Sequence, residues 1–316
     1  MNAIVGYTGF VGSNLTASGS FDAKYNSKNV QDAYGTKPDL LVYSGLRAEK
    51  YLANNEPEKD LEAIREAEKN IIRIAPKKLV LISTIDVFKT PSGVDENSGI
   101  DVSGLAAYGY HRYLLECMVR EKYPDALIIR LPGLFGKNIK KNFIYDFINV
   151  IPFMLSGKKF AELSEREPEL MKYYDKQANG FYKVNVSDPE KKKLKEMFIS
   201  LGFSALNFTD SRSRFQFYNL ANLWDDMNTA LGADLKLWHP ATEPVSAGEL
   251  YTYLTGGKFE NEVASVPADY DYRTIHDTLF GGKNGYILDK NSVLSEIRRF
   301  VEESSGNDTE SEGVKK

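Results

Sequence analysis

The stretch from Ala3 to Leu15 limits the possible folds more than any other part of the chain. It begins as an apolar run suited to a buried strand, places Gly6, Gly9 and Gly12 three residues apart, and passes into a helix-like segment carrying Phe10, Val11 and Leu15. A strand, a glycine turn and a helix start, in that order, make a phosphate cradle. Gly6 allows the tight turn, Gly9 lets backbone approach an anion, and Gly12 lets the helix pack on the strand, so that free N–H groups and the positive helix end face a pyrophosphate. Three closely spaced glycines are a weak motif alone, but the flanking strand and helix supply the context the motif requires. Gly6, Gly9, Phe10, Val11 and Gly12 are therefore expected to bind a dinucleotide.

The following segments extend that reading. Strands are expected at 23–26, 39–43, 78–83 and 126–130, and helices at 57–74, with Leu61, Ile64, Ala67 and Ile71 on one stripe, and at 105–122. The run at 78–83 is almost wholly apolar, as in strands buried on both faces of a parallel sheet. Strands alternating with helical patterns predict an α/β fold, a doubly wound parallel sheet of Rossmann type. Gly6, Ser44 with Gly45, Thr84 and Pro132 all fall at carboxyl ends of strands, where such sheets bind ligands. No acid stands about 20 residues past the glycines to hold an adenosine ribose. Asn26, Ser27 and Lys28 stand there instead, which leans toward NADP over NAD, although a solvated loop lysine explains Lys28 equally well.

Residues 1–136, completed by segments within about 213–245, are expected to form the dinucleotide-binding domain. Residues 137–212 and about 246–303 are expected to form a smaller, mainly helical substrate-binding part, and 304–316 a disordered polar tail. A chain of 316 residues, 42% hydrophobic, can bury a core of that size. Its net charge of -4 offers no global attraction to nucleic acid or an anionic membrane. Cys117 is the only cysteine, so no intrachain disulfide forms, and His111, His239 and His276 are too scattered for a local metal motif. With no leader and no apolar run approaching 18 residues, a soluble cytoplasmic protein is expected.

Chemistry points to the 105–122 helix. Tyr108 and Arg112 lie four apart and share a face, which Glu116 continues. A cation beside a tyrosine favours phenolate, and moving the phenol from about 10 to about 7 takes roughly 4 kcal/mol of differential stabilisation. Thr84 could hydrogen-bond the same substrate oxygen. On spacing alone, a surface aromatic–arginine pair is the competing explanation.

Four segments together resemble the extended short-chain dehydrogenase/reductases of the epimerase/dehydratase type: 6–12, 83–88, 108–112 and 130–136, in order across most of the chain. The resemblance implies a dinucleotide, NAD or NADP, on the glycine loop, Thr84 as the hydroxyl residue and Tyr108 as the proton-transferring residue. It implies Arg112 at the nicotinamide ribose, and a nucleotide-linked sugar met by Thr84, Asp86, Asn142, Arg214 and Arg273. Three positions depart from the pattern. Arg112 replaces the family's lysine and keeps the charge, but cannot relay a proton. Thr84, Ile85 and Asp86 stand where sugar dehydratases carry Thr-Asp-Glu, and Gly133 stands where many epimerases have asparagine. The expected function is an NAD(P)-dependent oxidoreductase or epimerase acting on a nucleotide-linked sugar. The alternatives are a dinucleotide-binding sensor or assembly protein with little catalysis, and a dehydratase or decarboxylase of the same fold. The stripes at 57–74 and 105–122 could pair with a second copy in a homodimer, and burial within one chain explains them equally well.

Overall fold

The computed structural model describes residues 1–310. Its first strand, β1 (Asn2–Val5), buries Ala3, Ile4 and Val5 and passes through the glycines into α1 (Phe10–Ser18). The chain then adds β2 (Ala23–Tyr25), β3 (Leu40–Tyr43), α2 (Lys50–Asn55), α3 (Pro57–Ile74), β4 (Lys78–Thr84), α4 (Ala107–Lys122) and β5 (Leu127–Leu131). The sheet runs Leu237–Trp238, β5, β4, β3, β1, β2, with every pair parallel. Strand order reverses between β1 and β3, the place at the carboxyl ends of the strands where sheets of this kind bind ligands.

Both faces are covered, which explains why the strands read as apolar runs rather than as alternations. On one face, Val5, Leu41, Leu81 and Ile128 pack with Ile64, Ala67 and Ile71 of α3 and Leu115 and Val119 of α4. On the other, Ile4, Val42, Val80 and Ile129 meet Leu15 of α1 and Leu223 and Met227 from the helix Leu223–Gly232. Each fully buried aliphatic side chain contributes about 1.5–3 kcal/mol of transfer free energy. Pro132 interrupts the β5 ladder, and the chain resumes as Gly133–Phe135, parallel to Phe217–Asn219.

The chain forms two compact units. The first comprises Met1–Ile139, Arg214–Val245 and Ala268–Ile297, and the second Lys140–Ser213, Ser246–Pro267 and the described residues from Arg298. This corrects the expected boundary in one respect: residues 268–297 belong with the sheet rather than with the smaller part. The buried Gln216 holds them there, donating to the Tyr272 carbonyl at 2.9 Å and accepting from the Tyr272 N–H at 2.9 Å.

The second unit has helices at Phe143–Asn149, Gly157–Arg166 and Asp188–Leu201. It also contains an antiparallel sheet that was not expected, of Met154–Leu155, Tyr182–Val184 and Tyr174–Lys176. Those strands are too short to carry a period-two signal; Leu155, Tyr174 and Phe198 bury together to hold them, with Phe160 stacked on Tyr182 at 3.9 Å. The final helix, Lys290–Glu310, runs through residues expected to begin the disordered tail, and the rest of that tail lies outside the described residues. Among the described residues no helix is long and apolar enough to cross a membrane.

Candidate functional site

The glycine loop has the local geometry of a cradle. Gly6 sits at φ +95°, where a side chain is strained, and a Cβ there would lie 2.5 Å from the Ser44 carbonyl oxygen. A Cβ on Gly12 would lie 2.1 Å from the Gly6 carbonyl oxygen. These are contacts that only glycine permits. Gly9 caps α1 without a side-chain acceptor, and the amides of Phe10, Val11 and Gly12 have no carbonyl within their own helix to bond. No carboxylate stands among these residues. Uncapped amides at a positive helix end fit a phosphate group.

Neighbouring loops close on this turn. The Ser44 hydroxyl donates to the Val5 carbonyl at 2.9 Å, tying the end of β3, and Gly45 after it, to the end of β1. Beyond β2, the Asn26 side chain accepts from the Lys28 N–H at 2.9 Å, shaping a turn that leaves Ser27 and Lys28 exposed. Asn14, not among the expected residues, donates to the Phe10 and Lys137 carbonyls, both at 2.8 Å, and so fastens α1 to the segment after Pro132. A lone asparagine inside a helix gives no sequence signal for that.

Thr84 and Tyr108 are neighbours in the first unit. Thr84 ends β4, and its side chain favours the ionised form of the Tyr108 phenol. Gly109 makes this approach possible: a Cβ there would lie 2.0 Å from the Asp86 carbonyl oxygen, so α4 seats directly on the turn after β4. Asn54 of α2 accepts the Tyr108 backbone N–H at 2.9 Å. Tyr108 is 7% exposed and Arg112 is 5% exposed, so they are not a solvated surface pair.

Two features of Arg112 differ from expectation. Burial pushes the Tyr108 phenol above its ordinary value, and this outweighs the opposing pull of Arg112. Arg112 lies over the ring, 4.1 Å from its centroid, while its hydrogen bonds go to Asp60 of α3, the Arg47 carbonyl at 2.8 Å and the Tyr108 carbonyl at 3.4 Å. Asp60 also contacts His111 Nδ1 at 2.8 Å. These are protein partners, where a ribose was expected. Asp60 stands 52 residues from Arg112, beyond the reach of any local pattern.

Asp86, Arg214 and Arg273 are joined by the Ala268–Ile297 segment. Asp86 pairs with Lys50 at 3.0 Å and accepts from the Tyr270 hydroxyl at 3.0 Å. Arg214 pairs with Asp269 at 2.6 Å, and Asp271 lies 3.7 Å from Arg214 and 3.1 Å from Arg273. The two expected arginines are thus brought to one carboxylate, and their charge is largely neutralised. Asn142 lies in the second unit, where its side chain accepts from the Ile144 and Tyr145 N–H groups and caps a helix.

A cleft of about 280 Å³ in the first unit is lined by Glu96, Tyr113, Arg120, Arg130 and Lys236, with none of the expected site residues. Its cations are matched: Arg130 and Arg120 pair with Glu116, and Lys236 with Asp125. Among the described residues, no group of His, Cys, Asp and Glu could hold a metal ion.

No protein-family model and no curated protein matches the chain. Solved structures do match its fold. A dTDP-4-dehydrorhamnose reductase from Yersinia enterocolitica is 14% identical, over 95% of this chain and 98% of that one, with a TM-score of 0.62. The dTDP-4-dehydrorhamnose reductase from Bacillus anthracis str. Ames, in complex with NADP, is 17% identical over 96% and 97%, with a TM-score of 0.60. A UDP-N-acetylglucosamine 4-epimerase from Methanobrevibacter ruminantium M1, in complex with UDP-N-acetylmuramic acid, is 12% identical over 95% and 96%, with a TM-score of 0.63. The chain has the fold of these sugar-nucleotide reductases and epimerases along nearly its whole length.

Proposed function

We propose that this protein is an NAD(P)-dependent enzyme acting on a nucleotide-linked sugar, as a reductase or epimerase, with Tyr108 as its proton-transferring residue. The observation that carries this reading is the buried Tyr108, whose helix seats through Gly109 on the Asp86 carbonyl just after Thr84, at the carboxyl edge of a sheet whose first loop is a glycine cradle. The cradle amides, with Ser44, Gly45 and Pro132 around them, would hold the dinucleotide, and the exposed Lys28 suits the extra phosphate of NADP. Bound there, a nicotinamide supplies hydride exchange with a sugar carbon.

The chain's own work is proton management. A phenol kept above its ordinary value is protonated at neutral pH, which suits donation to the oxygen of a carbonyl being reduced, with Thr84 sharing the hydrogen bond. Arg214 and Arg273 would take the sugar nucleotide's diphosphate by exchanging it for Asp271. Ile85, 2% exposed, occupies the place of an acid in the dehydratase pattern, which disfavours water elimination.

One observation favours a second reading, a dinucleotide sensor with little catalysis: the Arg112 guanidinium is committed to Asp60 and the Arg47 carbonyl. Self-association through α3 and α4, where Ile72 is 43% exposed, belongs to the same proposal, as does a cytoplasmic location.

The test combines cofactor binding with a turnover screen. NADPH and NADH are titrated by fluorescence, then nucleotide-linked keto sugars are screened for loss of reduced-nicotinamide absorbance and for epimer formation. Tyr108→Phe should keep cofactor affinity and lose turnover by at least about 100-fold. Full activity in that variant removes Tyr108 from the mechanism, and binding without turnover across the screen favours the sensor.

A further inference from the structure

A tyrosine that gives up its proton leaves a phenolate, and a buried phenolate needs a cation beside it. Arg112 is poorly placed to respond, because it lies over the ring face and its terminal nitrogens bond Asp60, the Arg47 carbonyl and the Tyr108 carbonyl. A second cation arrives from a different element. Lys50 opens α2, and its Nζ is 3.0 Å from Asp86 Oδ1, the oxygen that also accepts the Tyr270 hydroxyl. Asp86 is bound in turn to the proton-transfer pair, since its N–H donates to Thr84 Oγ1 at 3.2 Å.

Lys50, Asp86, Tyr270 and Thr84 therefore form one connected cluster within the first unit, and Gly109, next to Tyr108, seats α4 on the Asp86 carbonyl at its centre. The signs of its charges oppose one another: Lys50 and Arg112 favour the Tyr108 phenolate, and Asp86 disfavours it. The Lys50 side chain is 51% exposed against 6% for Arg112, so it is free to change partners when the charge at Tyr108 changes.

We propose that Lys50, held by Asp86, is the positioning cation for proton transfer at Tyr108, supplying from α2 the charge that Arg112 is not free to redirect. The inference rests on the reading of Tyr108 as the proton donor. In the step itself, the phenolic O–H bond breaks and its proton goes to the substrate oxygen, while the attached carbon receives the hydride from the reduced nicotinamide. The electron pair stays on the phenolate oxygen, whose negative charge Lys50 stabilises.

The experiment is a titration that needs no substrate. The full chain is labelled with ¹³C at the tyrosine ζ carbon, and the Tyr108 signal is identified by its absence from Tyr108→Phe. Asp86→Asn should lower the Tyr108 midpoint by about one unit, bringing it into an accessible range. With Asp86 in place, Lys50→Met should raise the midpoint by about one unit, and Lys50→Arg should leave it unchanged. Circular dichroism confirms that each variant is folded, as expected for a half-exposed side chain. An unmoved midpoint in Lys50→Met, or an equal rise in Lys50→Arg, overturns the proposal. The expected shifts in a protein that turns over no nucleotide sugar would support the coupling of Lys50 to Tyr108 and overturn only the enzymatic reading.

Discussion

At the scale of single residues, burial decides the ionisation state more often than neighbouring charge does. Spacing alone placed a cation beside Tyr108 and implied an easily formed phenolate, but a helical stripe says nothing about how much water reaches the pair. Desolvation instead keeps the phenol protonated. His239 shows the same effect with opposite consequence for charge. Burial, with Arg130 nearby, holds its imidazole down at about 3, so it is neutral in the folded protein. The unfolded chain, with a histidine near 6.5, binds a proton that the folded chain refuses. The stability that neutral His239 permits is therefore complete above about pH 6.5 and declines as pH falls toward 3. Thermal melts between pH 7 and pH 5 should show a steeper loss of Tm in the natural protein than in His239→Gln. Equal slopes would mean that other groups carry the acid sensitivity.

At the scale of elements, α4 organises the candidate site, and most of what it does was legible in its sequence. Its span and the Tyr108–Arg112–Glu116 stripe follow from periodicity. Its anchoring was not legible, because the partners come from distant segments. Glu116, wholly buried, binds Ser83 at 2.6 Å and Arg130 at 2.6 Å, fixing the helix to β4 and β5. Removing one partner of such a buried pair costs about 3–5 kcal/mol. Lys50, Asp60 and Tyr270 escaped notice for the same reason: contacts across dozens of residues leave no period to detect. Gly109 is the point at which α4 tolerates no change. Gly109→Ala puts a methyl group into the Asp86 carbonyl and pushes the helix away from Thr84. A stability loss of about 1–3 kcal/mol by urea denaturation is expected, with turnover falling much further than cofactor affinity. Unchanged turnover would show that the close seating of α4 is unnecessary.

At the scale of the whole molecule, the chain returns to its first unit twice after leaving it, and the returns bring Arg214 and Arg273. The strand–helix rhythm revealed the sheet, yet the last return lies in loops and short turns that have no rhythm, which is why residues 268–297 were expected elsewhere. A folded unit assembled from three stretches of chain should gain stability as a whole when ligand binds. NADPH at 100 times its Kd should add about 2.7 kcal/mol, visible as a rise in Tm, and Gly12→Ala should abolish that rise. A persistent rise in the variant would place the dinucleotide away from the cradle. Asp271, between the two arginines, has a further consequence. A bare arginine clamp collects ions from solution and sheds them when a diphosphate arrives, so its affinity falls steeply with added salt. Here the counterion is part of the chain, and in the proposed exchange it would move aside without leaving. Nucleotide affinity should respond only weakly to ionic strength, and the displaced carboxylate remains at hand to help expel the product.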